Sequence, residues 1–326
     1  MTSATITVRI LSLDESVVST QEHTFNVEKV IGYGGYGKVF KCQWRGKAPL
    51  PNDPLCMAGK ELNNPVPATE YEEGESRNTL RRLQSLQHEN VLKTFHIGFE
   101  SPAMANHSTQ HPNSCWTVWI FQELCDGSLH DLLLKQALAS RIVLNYTLQL
   151  LQGLDYLHGA KAIHTDLKGQ NILLTQNNRL IKIGDLDNYV RLRGTRTCSD
   201  DVTKVMGTEH FMSPEMTLQG FVDGKSEKIG RRTDIWSVGC LVLEMISQCR
   251  WTIGLKPAAG WKRDTLMQFY ETHPEGSPDI PKNIRGKCND LLKLCFRRDP
   301  QQRPEAAALI ALLTPYNNTD LDWTRV

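Results

Sequence analysis

Polar side chains in the middle of the chain have the types and the spacing that phosphoryl transfer needs. The stretch from His164 to Asn171 contains the carboxylate of Asp166, the ammonium group of Lys168 and the carboxamide of Asn171. A second carboxylate, Asp185, stands at the end of the hairpin predicted to follow this stretch. Together these groups could orient a hydroxyl, neutralise a phosphate and ligate Mg²⁺, a cation that prefers oxygen. The sequence therefore predicts phosphoryl transfer from ATP.

A glycine-rich turn near the start of the chain predicts a phosphate-binding loop. Its glycines fit the pattern G-x-G-x-x-G, and strands are predicted on both sides of it. A dinucleotide site would need a helix after the turn, so this setting favours a loop folded over ATP phosphates, with an unliganded hairpin tip as the alternative. Glycine lets backbone N–H groups approach phosphate closely. The predicted nucleotide contacts are Ile31, Gly32, Tyr33, Gly34, Gly35, Tyr36, Gly37 and, against adenine, Val39.

A lysine on the third predicted strand is a candidate for holding the ATP phosphates. Lys60 lies in the apolar stretch Cys56–Leu62, where a solvent-exposed edge lysine is the ordinary alternative. A helix is predicted over residues 68–87, with several glutamates in its first turns, where the helix dipole favours anions. We expect one of these glutamates to pair with Lys60.

Composition limits the classes of partner. The chain has 326 residues, enough for two lobes with cores of their own, and a net charge of +1, which gives no electrostatic reason to expect nucleic acid or membrane as the main partner. No apolar run approaches the ~18 residues of a membrane span. The nine cysteines include no C-x-x-C pair, so free thiols in a reducing compartment are expected. We predict a cytoplasmic location, with the nucleus as an alternative.

Eight motifs, taken in order, resemble the eukaryotic protein kinase family over residues ~25–315. Lys168, with Gly207 and Thr208 further on, resembles the serine/threonine branch of that family. Within the branch, the runs at 168–175, 180–185 and 230–240 are similar to MEKK-type mitogen-activated protein kinase kinase kinases. The eight motifs are the glycine loop, Lys60, His164-x-Asp166, Asn171, Asp185, Ser213-Pro214-Glu215, Asp234 and Arg303.

The resemblance implies an α+β bilobal protein kinase fold. Residues 23–124 would form a small antiparallel β-sheet lobe with one helix, and residues 125–316 a larger, mainly α-helical lobe. An extension of unknown role, 1–22, would precede them, and a tail, 317–326, would follow. Alternating apolar residues predict a strand within Met1–Leu13, and an apolar run predicts a helix over Val238–Ile246.

The resemblance also implies a role for each site residue. Asp166 would accept or orient the proton of a substrate hydroxyl, and Lys168 would neutralise the γ-phosphate. Asn171 and Asp185 would bind Mg²⁺. The remaining predicted nucleotide contacts are Ala58, Lys60 on the α- and β-phosphates, Glu75 as the partner of Lys60, Glu123, Cys125 and Leu173, next to a gatekeeper at Gln122. The pair Glu215–Arg303, and Asp234 against the catalytic loop, would be structural.

Two departures from the family pattern concern the metal and the helix glutamate. The family's Asp-Phe-Gly is here Asp185-Leu186-Asp187, so a carboxylate replaces a glycine that can reach positive φ. Asp187 is expected either to disturb this turn or to help hold a cation. The expected glutamate position is Thr79, and Glu75 lies one helical turn earlier on the same face. Either the helix is shifted or Lys60 lacks this partner.

A third departure concerns regulation. Thr165 replaces the arginine that in the family binds an activation-loop phosphate. Activity is therefore expected to depend little on phosphorylation between Asp187 and Ser213, and loss of activity on phosphatase treatment would contradict this.

Three functions fit these residues. The first is an active kinase that transfers the γ-phosphate of ATP to serine or threonine hydroxyls of a protein substrate in signalling. The second is a pseudokinase that binds nucleotide or acts as a scaffold, suggested by Asp187 and the displaced glutamate. The third is a small-molecule phosphotransferase of the antibiotic-kinase type, against which Lys168, Ser213-Pro214-Glu215 and Arg303 argue. The sequence makes no prediction of oligomeric state.

Overall fold

The fold consists of two units, each with its own core. The division falls between Met1–Cys125 and Asp126–Val326, one residue after the boundary predicted at 124. The computed structural model describes residues 4–11, 18–34, 37–46, 53–63, 66–67, 75–101, 115–192, 198–199, 207–218, 229–317 and 323–324.

The first unit is an antiparallel sheet with one helix, as predicted. Strand β4 pairs with both β3 and β7, and β6 pairs with β7. The predicted strand at Cys56–Leu62 is therefore central, which gives Lys60 a fixed backbone. The described elements are β1 (Ala4–Leu11), β2 (Val18–Gly34), β3 (Gly37–Trp44), β4 (Cys56–Leu62), β5 (Val66–Pro67), α1 (Glu75–Ser85), β6 (Thr94–Glu100) and β7 (Cys115–Gln122).

Strand β1, from the N-terminal extension, is part of this sheet. It pairs antiparallel with β2 and, at its end, with β6. The alternation predicted within Met1–Leu13 is confirmed, because Ile6, Val8 and Ile10 are buried while the residues between them are half-buried. The extension therefore supplies apolar side chains to a core completed by Phe25, Val27, Cys42, Trp44, Met57, Trp119 and Phe121.

Helix α1 ends two residues earlier than predicted. It begins at Glu75 and ends at Ser85, and the predicted start at 68 lies outside the described residues. The side chains of Leu80, Leu83 and Leu86 are buried and form an apolar side of this segment.

The second unit is mainly helical, as predicted. Ser128 caps α2, since its hydroxyl accepts the backbone N–H of Asp131 at 3.1 Å. The described elements are β8 (Gly127–Ser128), α2 (Leu129–Lys135), α3 (Ser140–Gly159), β9 (Ala162–Ile163), β10 (Ile172–Thr175), β11 (Leu180–Ile183), β12 (Val190–Arg191), β13 (Cys198–Ser199), α4 (Pro214–Thr217), β14 (Ile229–Gly230), α5 (Arg231–Ser247), β15 (Thr252–Ile253), β16 (Lys256–Pro257), α6 (Arg263–Thr272), α7 (Gly286–Cys295) and α8 (Ala306–Asn317).

Helices α3 and α5 form the centre of this unit. The leucine side chains of α3 are buried, including Leu151, Leu154 and Leu157. Helix α5 begins at Arg231, earlier than the predicted start at Val238. The earlier start follows from its first turn, where buried Asp234 accepts backbone hydrogen bonds from a neighbouring loop and is held inside the helix.

The predicted C-terminal tail contributes to the same unit. Helix α8 extends to Asn317, the first residue assigned to the tail. The indole N–H of Trp323 donates to the carbonyl of Ser140 at 2.9 Å, and the Trp323 side chain is buried. The carbonyl of Thr324 accepts from the backbone N–H of Arg285 at 2.8 Å. Trp323 and Thr324 therefore contact the N-terminal ends of α3 and α7.

Two further expectations concern the state of the cysteines and the presence of membrane-spanning helices. All eight cysteines with a described side chain are free thiols, which agrees with the sequence. Among the described helices, none has the length and apolar character to cross a bilayer.

Candidate active site

The residues that opened the sequence analysis lie on one loop of the second unit. This candidate catalytic loop, residues 164–171, joins β9 to the predicted hairpin of β10 and β11, which is confirmed by pairing from Ile172↔Ile183 to Thr175↔Leu180. A 3₁₀ turn at Gly169–Asn171 ends the loop.

Asp234, in the first turn of α5, fixes the start of this loop. Its Oδ2 accepts from the backbone N–H of His164 at 2.9 Å, and its Oδ1 from that of Thr165 at 2.8 Å. The Nε2 atom of His158 also lies 2.8 Å from Oδ2. Because Asp234 is fully buried, these contacts compensate its desolvation and fix the loop backbone. The role predicted for Asp234 has the expected geometry.

His164 connects the loop to the residues that precede Asp185. Its Nδ1 accepts from the backbone N–H of Asp166 at 3.2 Å, so Nε2 carries the proton and donates to the carbonyl of Gly184 at 2.8 Å. The imidazole is therefore a buried link between Asp166 and the end of β11.

The carboxylate of Asp166 accepts hydrogen bonds from three residues. Oδ2 lies 2.8 Å from Nζ of Lys168 and 3.3 Å from Nδ2 of Asn171. Oδ1 accepts from the backbone N–H of Thr208 at 2.8 Å and from its hydroxyl at 2.9 Å. Nζ of Lys168 also donates to the Thr208 hydroxyl at 2.8 Å. These hydrogen bonds fix the orientation of the carboxylate, as is needed for a group that accepts a proton from a hydroxyl.

Thr208 is the residue of this cluster whose contact the sequence did not reveal. The sequence marked it only as a feature of the serine/threonine branch. The preceding Gly207 has φ of +117°, and a Cβ there would lie 2.8 Å from the carbonyl oxygen of Thr165. Glycine therefore permits the close approach that brings Thr208 to Asp166.

Asn171 and Asp185, the predicted Mg²⁺ ligands, are joined through the backbone. The carbonyl of Asn171 accepts from the backbone N–H of Gly184 at 2.8 Å, directly before Asp185. Nδ2 of Asn171 donates to the carbonyl of Asp166 at 2.7 Å, which leaves Oδ1 as the ligand atom. Asp185 is held in the left-handed region at φ 58°, a conformation uncommon for non-glycine residues and often found at active sites. Two oxygen-bearing side chains in this setting fit Mg²⁺.

The unusual Asp187 does not disturb this turn. Leu186–Asn188 forms one 3₁₀ turn, and Asp187 is absent from the described residues with positive φ. The glycine freedom that the family pattern suggests is therefore not needed at this position. Leu186 is buried, as an apolar residue in place of the usual phenylalanine should be.

The predicted structural pair Glu215–Arg303 is present. The guanidinium binds both carboxylate oxygens, at 2.6 and 2.8 Å, and both side chains are fully buried. Thr233 donates to the same carboxylate at 3.0 Å, and the carbonyl of Arg297 accepts from Nε of Arg303 at 2.7 Å. The pair therefore fixes the segment after the candidate active site to α5 and to the loop before α8.

In the first unit, three predicted nucleotide contacts share one face of the sheet. Val39 lies directly opposite Lys60 in the β3–β4 pair, and Ala58 is two residues from Lys60 on β4. Residues opposite each other, or two apart on one strand, point to the same face. Gln122 lies opposite Ala58 and belongs to that face as well. Met57 points to the other face and is fully buried in the core.

The glycine loop joins strand to strand, as predicted. Gly34 lies opposite Gly37, and Gly32 opposite Val39. Tyr33 is exposed, which suits a loop that covers a ligand. Gly35 and Tyr36 lie outside the described residues.

The remaining predicted contacts are placed as follows. The backbone N–H of Glu123 donates to the carbonyl of Lys93 at 2.9 Å, and the Glu123 carbonyl accepts from the Cys125 thiol at 3.9 Å. Cys125 ends the first unit, and half-buried Leu173 lies on β10 of the second unit, opposite Ser128. The Glu75 side chain and most of the segment between Asp187 and Ser213 lie outside the description, so the expectations about a Lys60 partner and about phosphorylation stay predictions.

An antiparallel sheet unit with one helix, followed by a mainly helical unit with this loop, is typical of protein kinases. A family model described as "Protein kinase domain" matches residues 25–313. The chain belongs to the protein kinase family, and the predicted fold class and enzyme class are confirmed at that level. Membership implies ATP-dependent phosphotransfer, which generally needs Mg²⁺.

The curated relatives agree with the predicted similarity to MEKK-type kinases. The human protein named mitogen-activated protein kinase kinase kinase 4 is 28% identical over 281 residues, which are 86% of this chain and 15% of that protein. The Dictyostelium discoideum protein named mitogen-activated protein kinase kinase kinase A is 27% identical over 307 residues, which are 92% of this chain and 29% of that protein. The Arabidopsis thaliana protein named mitogen-activated protein kinase kinase kinase 2 is 36% identical over 185 residues, which are 56% of this chain and 26% of that protein. The chain spans less than a third of the length of these three relatives.

Proposed function

We propose that this chain is an active serine/threonine kinase that transfers the γ-phosphate of ATP to protein hydroxyls in signalling. The observation that carries the proposal is the Asp166 carboxylate, held at both oxygens by Lys168, Asn171 and Thr208. This arrangement presents a fixed proton acceptor beside a cation, as phosphoryl transfer requires.

Each residue has a defined part in the proposed reaction. Asp166 orients the substrate hydroxyl and receives its proton. Lys168, which donates to Asp166, neutralises negative charge on the γ-phosphate during the transfer. Asn171 and Asp185 would hold Mg²⁺, which when bound neutralises charge on the phosphates. Lys60 positions the α- and β-phosphates.

The serine/threonine preference follows from Thr208 and Lys168. Their mutual hydrogen bond fixes the loop beside Asp166, and these two residues carry the resemblance to the serine/threonine branch. The location in the cytoplasm remains a prediction, and fluorescence microscopy of a tagged full chain tests it.

The test is an assay of the full chain with Mg²⁺, radiolabelled ATP and a generic basic protein, followed by phosphoamino-acid analysis. Wild type should label serine or threonine, whereas Lys60→Met, Asp166→Asn and Asp185→Asn should lose at least about 100-fold in rate. A surface variant, Lys287→Met, is the matched control for handling and should keep the wild-type rate.

The competing functions give different results in the same assay. A pseudokinase would bind ATP and label nothing. A small-molecule phosphotransferase would label an aminoglycoside and leave protein unlabelled. Equal labelling by Asp185→Asn and wild type would contradict the metal assignment.

A further inference from the structure

Three metal-ligating side chains meet in the second unit, outside the candidate active site. His130 lies on α2, Glu244 lies near the end of α5, and Cys249 follows α5. Nδ1 of His130 is 3.3 Å from Oε1 of Glu244, and Sγ of Cys249 is 3.7 Å from the same oxygen and 3.9 Å from Nδ1. We call these residues the His-Glu-Cys cluster.

The separations of the three atoms match the edges of a zinc tetrahedron. With bonds of about 2.3 Å to sulfur and about 2.1 Å to nitrogen or oxygen, tetrahedral ligand atoms lie about 3.4 Å apart for nitrogen to oxygen. The same geometry gives about 3.6 Å for sulfur to either atom. The observed 3.3, 3.7 and 3.9 Å need only small side-chain adjustments to enclose an ion.

The backbone after α5 places the cysteine in this position. Gln248 ends the helix in the left-handed region, and Cys249 also has positive φ, so the chain turns back on itself. The backbone N–H of Cys249 donates to the carbonyl of Glu244 at 2.9 Å, which brings the two side chains together. Nε2 of Gln248 lies 3.4 Å from the carbonyl of Leu133 and connects this turn to α2, which carries His130.

Hydrogen bonding alone leaves the Glu244 carboxylate incompletely compensated. The side chain is 5% exposed, and both neighbours approach the same oxygen, Oε1. Oε2 is buried and has no hydrogen-bond partner within the described parts of the chain, although the backbone of Gly169 lies beside it. A buried carboxylate with one oxygen unsatisfied is costly, and a cation compensates the whole group.

We propose that the His-Glu-Cys cluster is a binding site for a single zinc-type divalent cation. Thiolate, imidazole and carboxylate together suit Zn²⁺, whereas Mg²⁺ prefers oxygen ligands alone. Three protein ligands leave a fourth position for water, and the His130 side chain, 27% exposed, gives the ion a route from solvent.

An ion in this cluster would connect α2, the end of α5 and the candidate catalytic loop. A Cβ added to Gly169 would lie 2.7 Å from Oε2 of Glu244, so the loop backbone rests directly on the ligating carboxylate. Gly169 follows Lys168, which binds Asp166. The ion would therefore stabilise the floor of the catalytic loop without taking part in the proposed reaction.

The test uses the purified full chain, stripped of metal by a chelator and free of nucleotide. After incubation with Zn²⁺ and gel filtration, elemental analysis of wild type should give one zinc per chain. Cys249→Ser and His130→Gln should each bind Zn²⁺ at least about tenfold more weakly. Cobalt substitution should give a thiolate-to-cobalt absorption band in wild type that is absent in Cys249→Ser.

Matched controls separate this site from other thiols and from the proposed function. Cys56→Ser and His273→Gln remove one cysteine and one histidine elsewhere and should bind zinc as wild type does. Asp185→Asn should also retain one zinc, since it alters the candidate active site alone. Absence of zinc in wild type, or equal zinc affinity in wild type and Cys249→Ser, would overturn the proposal.

Discussion

At the scale of single residues, the Thr208 hydroxyl is the contact whose removal is most informative. It donates to Oδ1 of Asp166 at 2.9 Å and accepts from Lys168 at 2.8 Å. Hydrogen bonds to charged groups contribute about 1.5–3 kcal/mol. We therefore expect Thr208→Ala to lower kcat by about 10- to 100-fold while the KM for ATP changes little, as steady-state assays would measure.

The matched variant for this prediction is Thr208→Ser. Serine keeps the hydroxyl and loses only a methyl group, so kcat should recover to within a few-fold of wild type. If alanine and serine variants were equally slow, the methyl contact rather than the hydroxyl would be the important feature of Thr208.

His210 is a second residue whose contribution can be measured, in this case to the pH dependence of stability. Its ring packs against Phe211, at 4.7 Å between centroids, and Trp251, at 5.8 Å. Burial lowers the pKa of His210 to about 4; Glu209 opposes this shift, and Lys168 adds to it. The folded chain therefore keeps His210 neutral at pH values where an unfolded histidine is already charged.

This lowered pKa predicts an acid-dependent loss of stability. In the unfolded chain the pKa of histidine is about 6.5, so below that pH the unfolded state binds a proton that folded His210 does not. Stability should fall as pH decreases from about 6.5 toward about 4, by roughly 1–2 kcal/mol between pH 7.5 and 5 for this half-buried ring. Urea unfolding at both pH values should show a smaller loss for His210→Phe than for wild type, and an unchanged loss for the exposed His273→Gln. An equal loss in His210→Phe would mean that other groups cause the acid sensitivity.

At the scale of elements, strand β1 is the part of the first unit whose contribution can be isolated. Val8 is fully buried among Phe25, Trp119 and other core residues. Truncation to alanine removes two methyl groups and leaves a cavity, so Val8→Ala should lower the free energy of unfolding by about 2 kcal/mol. Thr7→Ala, one residue earlier on the other face, should cost less than about 1 kcal/mol. Urea titration checks both variants, and equal small effects would show that β1 does not belong to the core.

The elements show which parts of the fold a sequence can predict. The bounds of β4 agree with the prediction, and the predicted β10–β11 hairpin is present, because glycine, proline and asparagine mark the turns. The start of α5 was predicted too late, since Asp234 lies inside the helix through contacts with His164 and Thr165. Local patterns contain no information on such contacts, which join residues far apart in the chain.

In the candidate site, too, residue types were predictable from the sequence, whereas contacts between distant segments were not. The types and spacing of Asp166, Lys168, Asn171 and Asp185 helped to predict a protein kinase, a class that the family match confirms. The Thr208 contact with Asp166 and the His-Glu-Cys cluster were not predictable, because each joins segments with no periodic or motif signal between them. Similarly, Trp323 binds the carbonyl of Ser140 across most of the second unit's sequence.

At the scale of the whole molecule, the proposed function uses residues of both units, so nucleotide binding should stabilise the chain. At a concentration of Mg-ATP 100 times Kd, the stabilisation is about 2.7 kcal/mol, which raises a thermal midpoint by roughly 5 °C. Lys60→Met in the first unit and Asp185→Asn in the second should each abolish most of this shift, as differential scanning fluorimetry would measure. Asp187→Asn is the matched control: Asp187 lies within the 3₁₀ turn Leu186–Asn188, and asparagine has nearly the same size, so the Mg-ATP shift should persist. Loss of the shift in Asp187→Asn as well would make Asp187 a third ligand of the magnesium site, whereas an undiminished shift in Asp185→Asn would remove Asp185 from it.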